Sequence, residues 1–293
     1  MEIGFLYSRI RTDEKLLLTE LRGRGHTVHK LDVRSMPFDI AVPPVDGLDL
    51  VLDRCIATSQ SRYATALFEA YGVPVVNPPA TIDVCADKVH TSIALAETGV
   101  PTPTTTVAFG EDAALEAVED LGYPCVLKPV VGSWGRLVAR LDSRSAAEAV
   151  LEHKATLGHY EHRVFYLQEY VEKPGRDIRV VAADGEVVAA MTRTADHWKT
   201  NAAAGAEVEA YEPPATVRDL VAAASAAVGG GLLGIDLMEA PSTDPGFVVH
   251  EVNAGVEFKA LDGAVETDVP AAIVDWLETV VADAGPTGPE VSA

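Results

Sequence analysis

The sequence predicts an α/β protein built from two or three domains. The chain has 293 residues, which is long enough for several small domains, and its 48% hydrophobic residues can form a sizeable core. Short apolar segments alternate with amphipathic helical segments through the first 80 residues. Because this alternation is typical of strand–helix–strand units, we expect a parallel sheet near the N-terminus.

The first predicted domain covers residues 1–80. The apolar pattern predicts strands at 3–7, 27–33, 48–52 and 73–76, and helices at 13–24 and 59–71. Pro78 and Pro79 follow the last of these strands. Two consecutive prolines interrupt regular structure, so we interpret them as a linker to the next domain.

A second unit is predicted from residue 81 to residue 165. It begins with one long helix that has Asp87 and Lys88 near its middle. The pattern then predicts strands at 104–109, 125–131 and 136–141, and helices at 113–121 and 145–156. Ser145 and Glu148 form a capping-box pattern at the start of the last helix.

The third predicted unit covers residues 166–285. Asp184 and Gly185 join two apolar runs and indicate a β-hairpin. The pattern predicts strands at 165–171, 178–183, 186–192, 232–238 and 247–253, and helices at 217–228 and 269–281. Residues 286–293 are rich in Pro, Gly and Ser and are expected to form a flexible tail.

The chain is strongly acidic. It has 23 Lys and Arg against 44 Asp and Glu, a net charge of −21, and eight of its basic residues are lysines. This charge disfavours nonspecific binding to nucleic acids and to anionic membranes. Adaptation to high salt, which screens repulsion between like charges, would explain the composition.

Cysteine usage and the N-terminus predict a cytoplasmic protein. Cys55, Cys85 and Cys125 are far apart in sequence, which fits a reducing compartment and argues against a zinc site or a disulfide framework. No apolar run approaches the ~20 residues of a membrane span. The first residues lack the basic segment of a signal peptide.

Residues 124–136 carry the most informative motif, in which an apolar strand ends at Lys128 and leads into a loop with Gly132 and Gly135. A lysine beside such a loop suits a polyphosphate, because its amine neutralises charge while loop N–H groups bind phosphate oxygens. The motif is not a Walker A sequence. Lys88 could bind the same phosphates from a helix. An ordinary hairpin and a solvated surface lysine are the alternatives.

Three side chains with oxygen donors lie on two predicted strands near the C-terminus. Glu251 and Asn253 are two residues apart and so point to one face of their strand, and Asp236 could join them from a neighbouring strand. Hard oxygen ligands of this kind suit Mg²⁺. The alternative is a pair of edge-strand carboxylates that face solvent.

Two arginines, Arg179 and Arg193, lie on the two arms of the predicted hairpin. Their guanidinium groups could bind one carboxylate or phosphate, or they could pair with surface acids across the strands. The extended backbone of residues 168–171 could pair with the edge of an adenine. No nucleophile elbow or Ser–His–Asp order is present.

The order of these motifs resembles the ATP-grasp ligases of the RimK-like branch, and the long motifs resemble the LysX family, here in a halophilic version. The matching segments are 127–136, 168–179, 191–193, 234–236 and 251–259, with Lys88 and Asn201. The resemblance spans nearly the whole chain. It implies a three-domain fold, with an N-terminal parallel α/β preATP-grasp domain and two α+β domains that sandwich ATP.

The resemblance also implies an activity. LysX enzymes join an amino-acid α-amine to the C-terminal glutamate of LysW, a small acidic carrier protein, in lysine or arginine biosynthesis. ATP phosphorylates the carboxylate, the amine attacks the acyl phosphate, and phosphate leaves. We also expect a homo-oligomer, a dimer or tetramer. A RimK-like ligase acting on another protein or a small molecule, and an ATP-binding scaffold without turnover, are the alternatives.

The resemblance assigns each candidate site residue a role. The residues implied to bind the phosphates are Lys88, Lys128, Gly132, Ser133, Trp134, Gly135 and Arg136. Those implied to hold the nucleoside are Gln168, Glu169, Tyr170 and Val171 at adenine and Asp177 on the ribose side. Asp236, Glu251 and Asn253 are implied to hold Mg²⁺, for which Mn²⁺ could substitute. Arg179, Arg193 and Asn201 are implied to face the acyl phosphate or the substrate.

The chain departs from the family pattern after Asn201. The family often has Ala-Arg-Gly-Gly there, whereas this chain has alanine at Ala204 and Ala206, which puts contacts to phosphate or substrate at this loop in doubt. Residues 253–256 lie where the family selects glutamate or 2-aminoadipate. An acidic carrier would require a local basic cluster, for which Arg9, Arg11, Lys199 and Lys259 are the candidates.

Overall fold

The strands of the described chain form three sheets, one parallel and two antiparallel. The computed structural model describes residues 1–132, 137–157, 163–198, 200 and 206–284. Within these ranges the mixed architecture confirms the predicted α/β class, with helices packed against each sheet. No helix in the described ranges is both long and apolar enough to cross a membrane.

The first sheet is parallel, as the alternation of strands and helices predicts. Its strands are β1 (Glu2–Tyr7), β2 (Thr27–Asp32), β3 (Leu50–Arg54) and β4 (Val75–Val76), in the order β2-β1-β3-β4. The intervening helices are α1 (Thr12–Gly23) and α2 (Thr58–Ala70). Leu17 and Leu21 of α1 and Phe68 of α2 are fully buried against this sheet, so burial of their apolar faces stabilises the layers.

The prediction of a Pro78–Pro79 linker followed by one long helix is wrong. Two helices, α3 (Pro79–Ala86) and α4 (Lys88–Glu97), occupy this region. Pro79 lies in the first turn of α3, where its missing N–H costs nothing. Asp87 has extended backbone and accepts a hydrogen bond from the Val89 N–H, so it caps α4. Lys88 therefore lies at a helix start rather than in mid-helix.

The second sheet is antiparallel, in the order β5-β8-β6-β7. Its strands are β5 (Thr105–Ala108), β6 (Cys125–Lys128), β7 (Ala139–Leu141) and β8 (Phe165–Glu169). Helices α5 (Glu111–Leu121) and α6 (Arg144–Leu157) cover one face. The predicted cap of α6 is two residues too late, because Ser143 and not Ser145 accepts the hydrogen bond from the Ala146 N–H.

The third sheet has the order β11-β10-β9-β12-β13. Its strands are β9 (Arg176–Ala183), β10 (Glu186–Thr194), β11 (Glu207–Ala210), β12 (Leu232–Glu239) and β13 (Phe247–Asn253). The helices are α7 (Ala215–Val228), α8 (Lys259–Asp262) and α9 (Val269–Ala284). Asp184 and Gly185 have φ of 46° and 87°, which confirms the predicted hairpin turn. β11 and α8 are not predicted by the sequence pattern.

The first and third sheets share a hydrophobic core. Phe5 and Leu17 from the N-terminal unit belong to the same buried cluster as Phe258 and Leu277 from the C-terminal unit. The Asn77 amide adds polar contacts, since its Nδ2 donates to the carbonyls of Leu232 and Ala254. These contacts position the start of the chain beside the ends of β12 and β13.

Candidate active site

A cavity of about 730 Å³ lies where the three sheets meet. Arg54 at the end of β3, Lys128 at the end of β6 and Asp236 on β12 are among the side chains that line it. Of the predicted site residues, all thirteen in the described ranges line this cavity: Lys88, Lys128, Gly132, Gln168, Glu169, Tyr170, Val171, Asp177, Arg179, Arg193, Asp236, Glu251 and Asn253. Ser133, Trp134, Gly135, Arg136 and Asn201 lie outside the described residues.

Two lysines approach the cavity from different elements. Lys88, the first residue of α4, donates from Nζ to Glu251 Oε1 at 2.8 Å and to the Gly132 carbonyl at 3.0 Å. Lys128 ends β6 and donates to Gln168 Oε1. Burial lowers the pKa of Lys128 to about 8, and the positive charges of Lys88 and Lys173 act in the same direction against Glu251.

Gln168 is buried and orients Lys128. Its Nε2 donates to Thr105 Oγ1 at 2.9 Å and to the Tyr166 hydroxyl at 3.1 Å, so its Oε1 faces the lysine. The Tyr166 hydroxyl in turn lies 2.8 Å from Ser92 Oγ. The side chain of Gln168 thus accepts the hydrogen bond that fixes the position of Lys128 Nζ. An adenine contact through the backbone of residues 168–171 stays a prediction.

A buried cluster of two carboxylates and two guanidinium groups forms the floor of the cavity. Asp236 accepts from Arg179 Nη1 at 2.9 Å and from Arg193 Nη2 at 2.8 Å. Arg193 also donates to both oxygens of Asp177, at 2.7 and 3.0 Å. Burial alone would raise the pKa of Asp236, but the charges of Arg179 and Arg193 outweigh it and lower the pKa to about 2.

Gly234 makes room for this cluster. A Cβ at this position would overlap the guanidinium group of Arg179, and Gly234 does not have a left-handed backbone. The glycine is therefore required by close approach of a side chain and not by a turn. This explains why the short motif of Gly234, Ile235 and Asp236 begins with glycine.

The carboxylate of Asp177 is engaged in hydrogen bonds and ion pairs with neighbouring side chains on the floor of the cavity. Besides Arg193, it accepts from Thr200 Oγ1 at 2.5 Å, and its Oδ2 lies 3.7 Å from Lys173 Nζ. These contacts place Asp177 among basic groups, and the ribose contact implied by the resemblance stays a prediction.

The three predicted magnesium ligands lie on one face of two paired strands. Asp236 and Glu251 are direct partners across β12 and β13, so their side chains share a face, and Asn253 follows two residues later. In the described ranges no three His, Cys, Asp or Glu side chains group into a metal site, so an all-carboxylate or thiolate cage is absent there. Two carboxylates and an amide oxygen fit a cation that completes its shell with phosphate oxygens.

The cavity is lined by more basic than acidic side chains although the chain is acidic. Among the described lining residues, eight are Lys or Arg and six are Asp or Glu, which leaves an excess of two positive charges. The whole chain has a net charge of −21. Glu14, which lies behind the lining, neutralises part of this excess because it pairs with Arg11 and Arg54, so the cavity is close to neutral overall and does not repel a polyanion as the rest of the chain does.

Several lining residues were not predicted from the sequence. Lys173 is nine-tenths buried and donates to Thr200 Oγ1 at 2.6 Å; its position inside the 168–179 motif was the available signal. Arg54 is buried against Glu14. His250 has both ring nitrogens buried without a hydrogen-bond partner. Neither Arg54 nor His250 stands in a recognisable motif.

The structure does not bring the proposed carrier-docking cluster together as a free basic patch. Arg11 is engaged by Glu14 and by Glu257, so its charge is compensated. Arg9 and Lys259 are exposed, and Lys199 lies outside the described residues. A docking site at these residues stays a prediction.

Two protein-family models together match almost the whole chain. A model described as the LysX preATP-grasp domain matches residues 3–84, and one described as the RimK-like ATP-grasp domain matches residues 85–277. The second match alone covers more than half of the chain and includes every predicted phosphate and metal residue.

Proteins of known name are similar over nearly their full length. The α-aminoadipate–LysW ligase LysX of Sulfurisphaera tokodaii is 33% identical over 263 residues, covering 88% of this chain and 92% of that protein. The glutamate–LysW ligase ArgX of Sulfolobus acidocaldarius is 30% identical over 282 residues, covering 95% and 98%. The identities to the two ligases differ too little to separate their substrates.

Solved structures are similar to this chain over nearly its full length. A RimK domain protein of Sphaerobacter thermophilus has a TM-score of 0.78 and 29% identity, covering 94% of this chain and 99% of that one. D-alanine–D-alanine ligase of Bacillus anthracis complexed with ATP has a TM-score of 0.68 at 17% identity, covering 97% and 100%. At that identity the second likeness concerns the fold alone.

Proposed function

Because this chain belongs to the RimK-like ATP-grasp family and begins with a LysX preATP-grasp domain, we propose that it is an amino-acid ligase acting on a carrier protein. Its family makes it an ATP-dependent ligase with the predicted three-domain ATP-grasp fold. In the proposed reaction the α-amine of glutamate or 2-aminoadipate is joined to the C-terminal glutamate of a LysW-type protein. The observation that carries this proposal is the likeness, over nearly full length, to ligases of both amino acids with LysW.

The site supports an acyl-phosphate route. A carrier carboxylate oxygen attacks the γ-phosphorus of ATP and ADP leaves; the amine then attacks the acyl carbon and phosphate leaves, while the amine loses a proton. Lys88 and Lys128 would bind the phosphates, and Arg179 and Arg193 would stabilise the charge on the transferred group.

Magnesium has a suitable set of residues in this cavity. Asp236, Glu251 and Asn253 would hold the ion, which when bound neutralises phosphate charge. Mn²⁺ could replace Mg²⁺ because the ligands are all hard oxygens.

The amino-acid substrate belongs to one of two acids that differ by one methylene. A single methylene changes binding by only ~1–3 kcal/mol, so a pocket that takes one acid discriminates modestly against the other. We propose arginine or lysine biosynthesis as the role, in the cytoplasm, with the enzyme as a homo-oligomer.

A second candidate function has some support. The tetrahydromethanopterin:α-L-glutamate ligase of Methanococcus maripaludis is 34% identical over 209 residues, covering 69% of this chain and 68% of that protein. Under this proposal glutamate would be added to a small molecule. The LysX-type domain at residues 3–84 favours the carrier-protein ligase.

The decisive experiment follows the mass of the carrier. The protein would be incubated in high salt with ATP, Mg²⁺, a LysW-type carrier and either glutamate or 2-aminoadipate. We expect ADP release and a carrier mass gain of one residue of the accepted acid. Neither acid adding mass would refute the carrier ligase, and ADP release without carrier but with a pterin acceptor would support the second candidate.

Lys128→Ala is the matched loss-of-function variant. It should abolish ADP formation while leaving the unfolding temperature near that of the parent, because the lysine lies at a strand end and its partner Gln168 keeps two other hydrogen bonds. Full activity in this variant would refute the role of Lys128.

A further inference from the structure

The first sheet contributes one part of the cavity lining. Its strand order β2-β1-β3-β4 places β2 beside β1 at one edge and β4 beside β3 at the other. The chain therefore leaves β1 and β3 in opposite directions, and α1 and α2 pack in hydrophobic clusters on opposite faces of the sheet. In open parallel sheets such a reversal leaves a crevice at the carboxyl ends of the two strands, where ligands bind.

The crevice between β1 and β3 opens into the cavity. Tyr7 and Arg54 are partners at the carboxyl ends of the two strands. The lining residues that follow β1 are Arg11, Thr12 and Asp13, and those from the end of β3 onward are Arg54, Cys55, Ile56, Thr58 and Ser61. The predicted nucleotide and metal residues all come from α4 and the other two sheets with their loops. The crevice is therefore available for a second reactant.

Arg54 supplies a guanidinium group to the crevice with one arm unused. Its side chain is 2% exposed, and its Nε and Nη2 both donate to Glu14 Oε1, at 3.3 and 3.0 Å. Nη1 has no hydrogen-bond partner in the described chain, yet the buried unpartnered side-chain nitrogens of that part all belong to His250. Nη1 is therefore open to solvent. Because Arg54 lines the cavity and is otherwise covered, a molecule in the cavity can reach this atom.

The start of α2 adds N–H donors next to Arg54 in the chain. Ala57 precedes the helix and provides no side-chain cap, and the first turn contains no acidic residue. The N–H groups of Thr58 and Ser59 have no hydrogen-bond partner among the described residues. Free N–H groups at a helix start attract a negatively charged oxygen. The crevice thus combines an arginine N–H group with backbone donors.

The crevice would select a ligand by the direction of its donors and not by net charge. Basic and acidic side chains are equal in number around it, with Arg11, Arg54 and Lys259 against Asp13, Glu14 and Glu257. Guanidinium and backbone N–H groups can only donate. A carboxylate accepts with both of its oxygens, whereas a side-chain amide would turn an NH₂ group toward donors and leave one of them unpaired.

We propose that this crevice binds the side-chain carboxylate of the amino-acid substrate and that Arg54 recognises it. The inference rests on the proposed function for the identity of the substrate as a dicarboxylic amino acid. Its side-chain carboxylate takes no part in bond formation, so a fixed partner for it orients the α-amine without blocking the reaction. The carboxylates of a carrier tail have the same chemistry. The 2% exposure of Arg54 favours a small free molecule over a polypeptide.

The test compares the accepted acid with its side-chain amide, such as glutamate with glutamine, as substrates of the full chain. The specificity ratio is kcat/KM for the acid divided by kcat/KM for the amide, followed by the mass of the carrier. The parent should prefer the acid by at least about a hundredfold. Arg54→Gln should lower this ratio by at least about tenfold, the size of one hydrogen bond to a charged group, and leave KM for ATP within about threefold.

Arg24→Gln is the matched control. Arg24 also pairs with acidic side chains and connects α1 to α9, but it does not line the cavity, so the specificity ratio should equal that of the parent. If Arg54→Gln does not fold, Arg54→Lys keeps a positive charge beside Glu14 but lacks the forked guanidinium. Its specificity ratio should fall by at least about threefold.

An unchanged specificity ratio in the folded Arg54 variant would overturn the proposal. A rise in KM for the carrier at an unchanged ratio would also overturn it, because the carboxylate would then belong to the carrier. Calorimetry with MgADP present gives a readout without turnover: the parent should bind the acid more tightly than the amide, and Arg54→Gln should lose this preference. The preference without mass gain on any carrier would refute the proposed function and leave this inference standing.

Discussion

At the scale of single residues, the basic side chains of the site differ in whether a carboxylate balances their charge. Arg179 and Arg193 share Asp236, Lys88 is paired with Glu251, and Lys128 has a neutral partner. Lys128 is thus the described lysine of the site whose charge is least balanced, which agrees with the lowering of its pKa to about 8 by burial. A phosphate would supply the missing charge.

The lowered pKa of Lys128 predicts a pH dependence of activity. Because kcat/KM for ATP reports ionisations of the free enzyme, it should fall about tenfold per pH unit above roughly pH 8, as the amine loses its proton. Lys128→Arg keeps its charge and should lack this fall, whatever its absolute rate. Steady-state kinetics between pH 7 and about 9.5 test this; a flat parent profile would contradict it.

The same group affects stability with a defined sign. In the unfolded chain a lysine has a pKa near 10.5, whereas in the fold that of Lys128 is about 8, so the unfolded state binds more protons between these values. The contribution of Lys128 to the free energy of unfolding therefore rises as pH increases through this window. Measuring the free energy of unfolding against pH for the parent and for Lys128→Met isolates this contribution, since the variant should lack the rise.

At the scale of elements, β12 and β13 place the predicted metal ligands and the arginine cluster on one surface. Their pairing joins Asp236 to Glu251, and the pairing of β12 with β9 joins Asp236 to Arg179. Gly234 leaves the space that the guanidinium group of Arg179 occupies, since it has no side chain. The chemistry therefore depends on the register of three strands that are distant in sequence.

Gly234→Ala should displace Arg179 from Asp236, because the added methyl group overlaps the guanidinium. We expect ADP formation to fall by at least about tenfold, the scale for loss of one charged hydrogen bond in the transition state. Gly23→Ala, at the end of α1 with no atom within 4 Å of an added Cβ, is the control and should retain full activity. Equal rates for both variants would refute the steric argument.

At the scale of the whole molecule, a cavity lined by more basic than acidic side chains lies in a strongly negative protein. The net charge of −21 destabilises the folded chain at low ionic strength through self-repulsion. Salt shortens the screening length from about 10 Å at 0.1 M to about 3 Å at 1 M. The ion pairs of Asp177 and Asp236 with Arg179 and Arg193 are buried in the cavity and are screened less than the surface charges.

The unfolding temperature should therefore rise as KCl is increased from about 0.1 M to above 1 M, where the screening length becomes shorter than most distances between surface charges. Thermal scans followed by circular dichroism measure this. An unfolding temperature that does not change with salt would contradict adaptation to high salt.

Nucleotide binding across the three sheets should stabilise the whole chain. At MgADP one hundred times above its Kd, the free energy of unfolding should increase by about 2.7 kcal/mol. Chelation of Mg²⁺ with EDTA should remove most of this gain, if Asp236, Glu251 and Asn253 hold the ion against the phosphates. The same stabilisation in Asp236→Asn would argue against the proposed ligands.

Much of the fold could be predicted because local signals and burial agree. The Asp184–Gly185 turn, the alternating strands of the first sheet and the apolar face of α1 are each readable within a dozen residues. The break at Asp87 was missed because apolar periodicity continues through it, whereas the side-chain cap that divides the helices is local. β11 is short and largely exposed, so its sequence carries little pattern.

The sequence by itself determined the family, and it predicted thirteen described residues as members of one site. All thirteen line one cavity in the structure. Only the tertiary structure decided which group binds which: Gln168 accepts a hydrogen bond from Lys128, Lys173 donates to Thr200, and Asp236 accepts from Arg179 and Arg193. The physical reason is that side-chain direction and pairing depend on the register and bulges between distant strands. A single residue of shift changes the face a side chain occupies, and no local pattern encodes it.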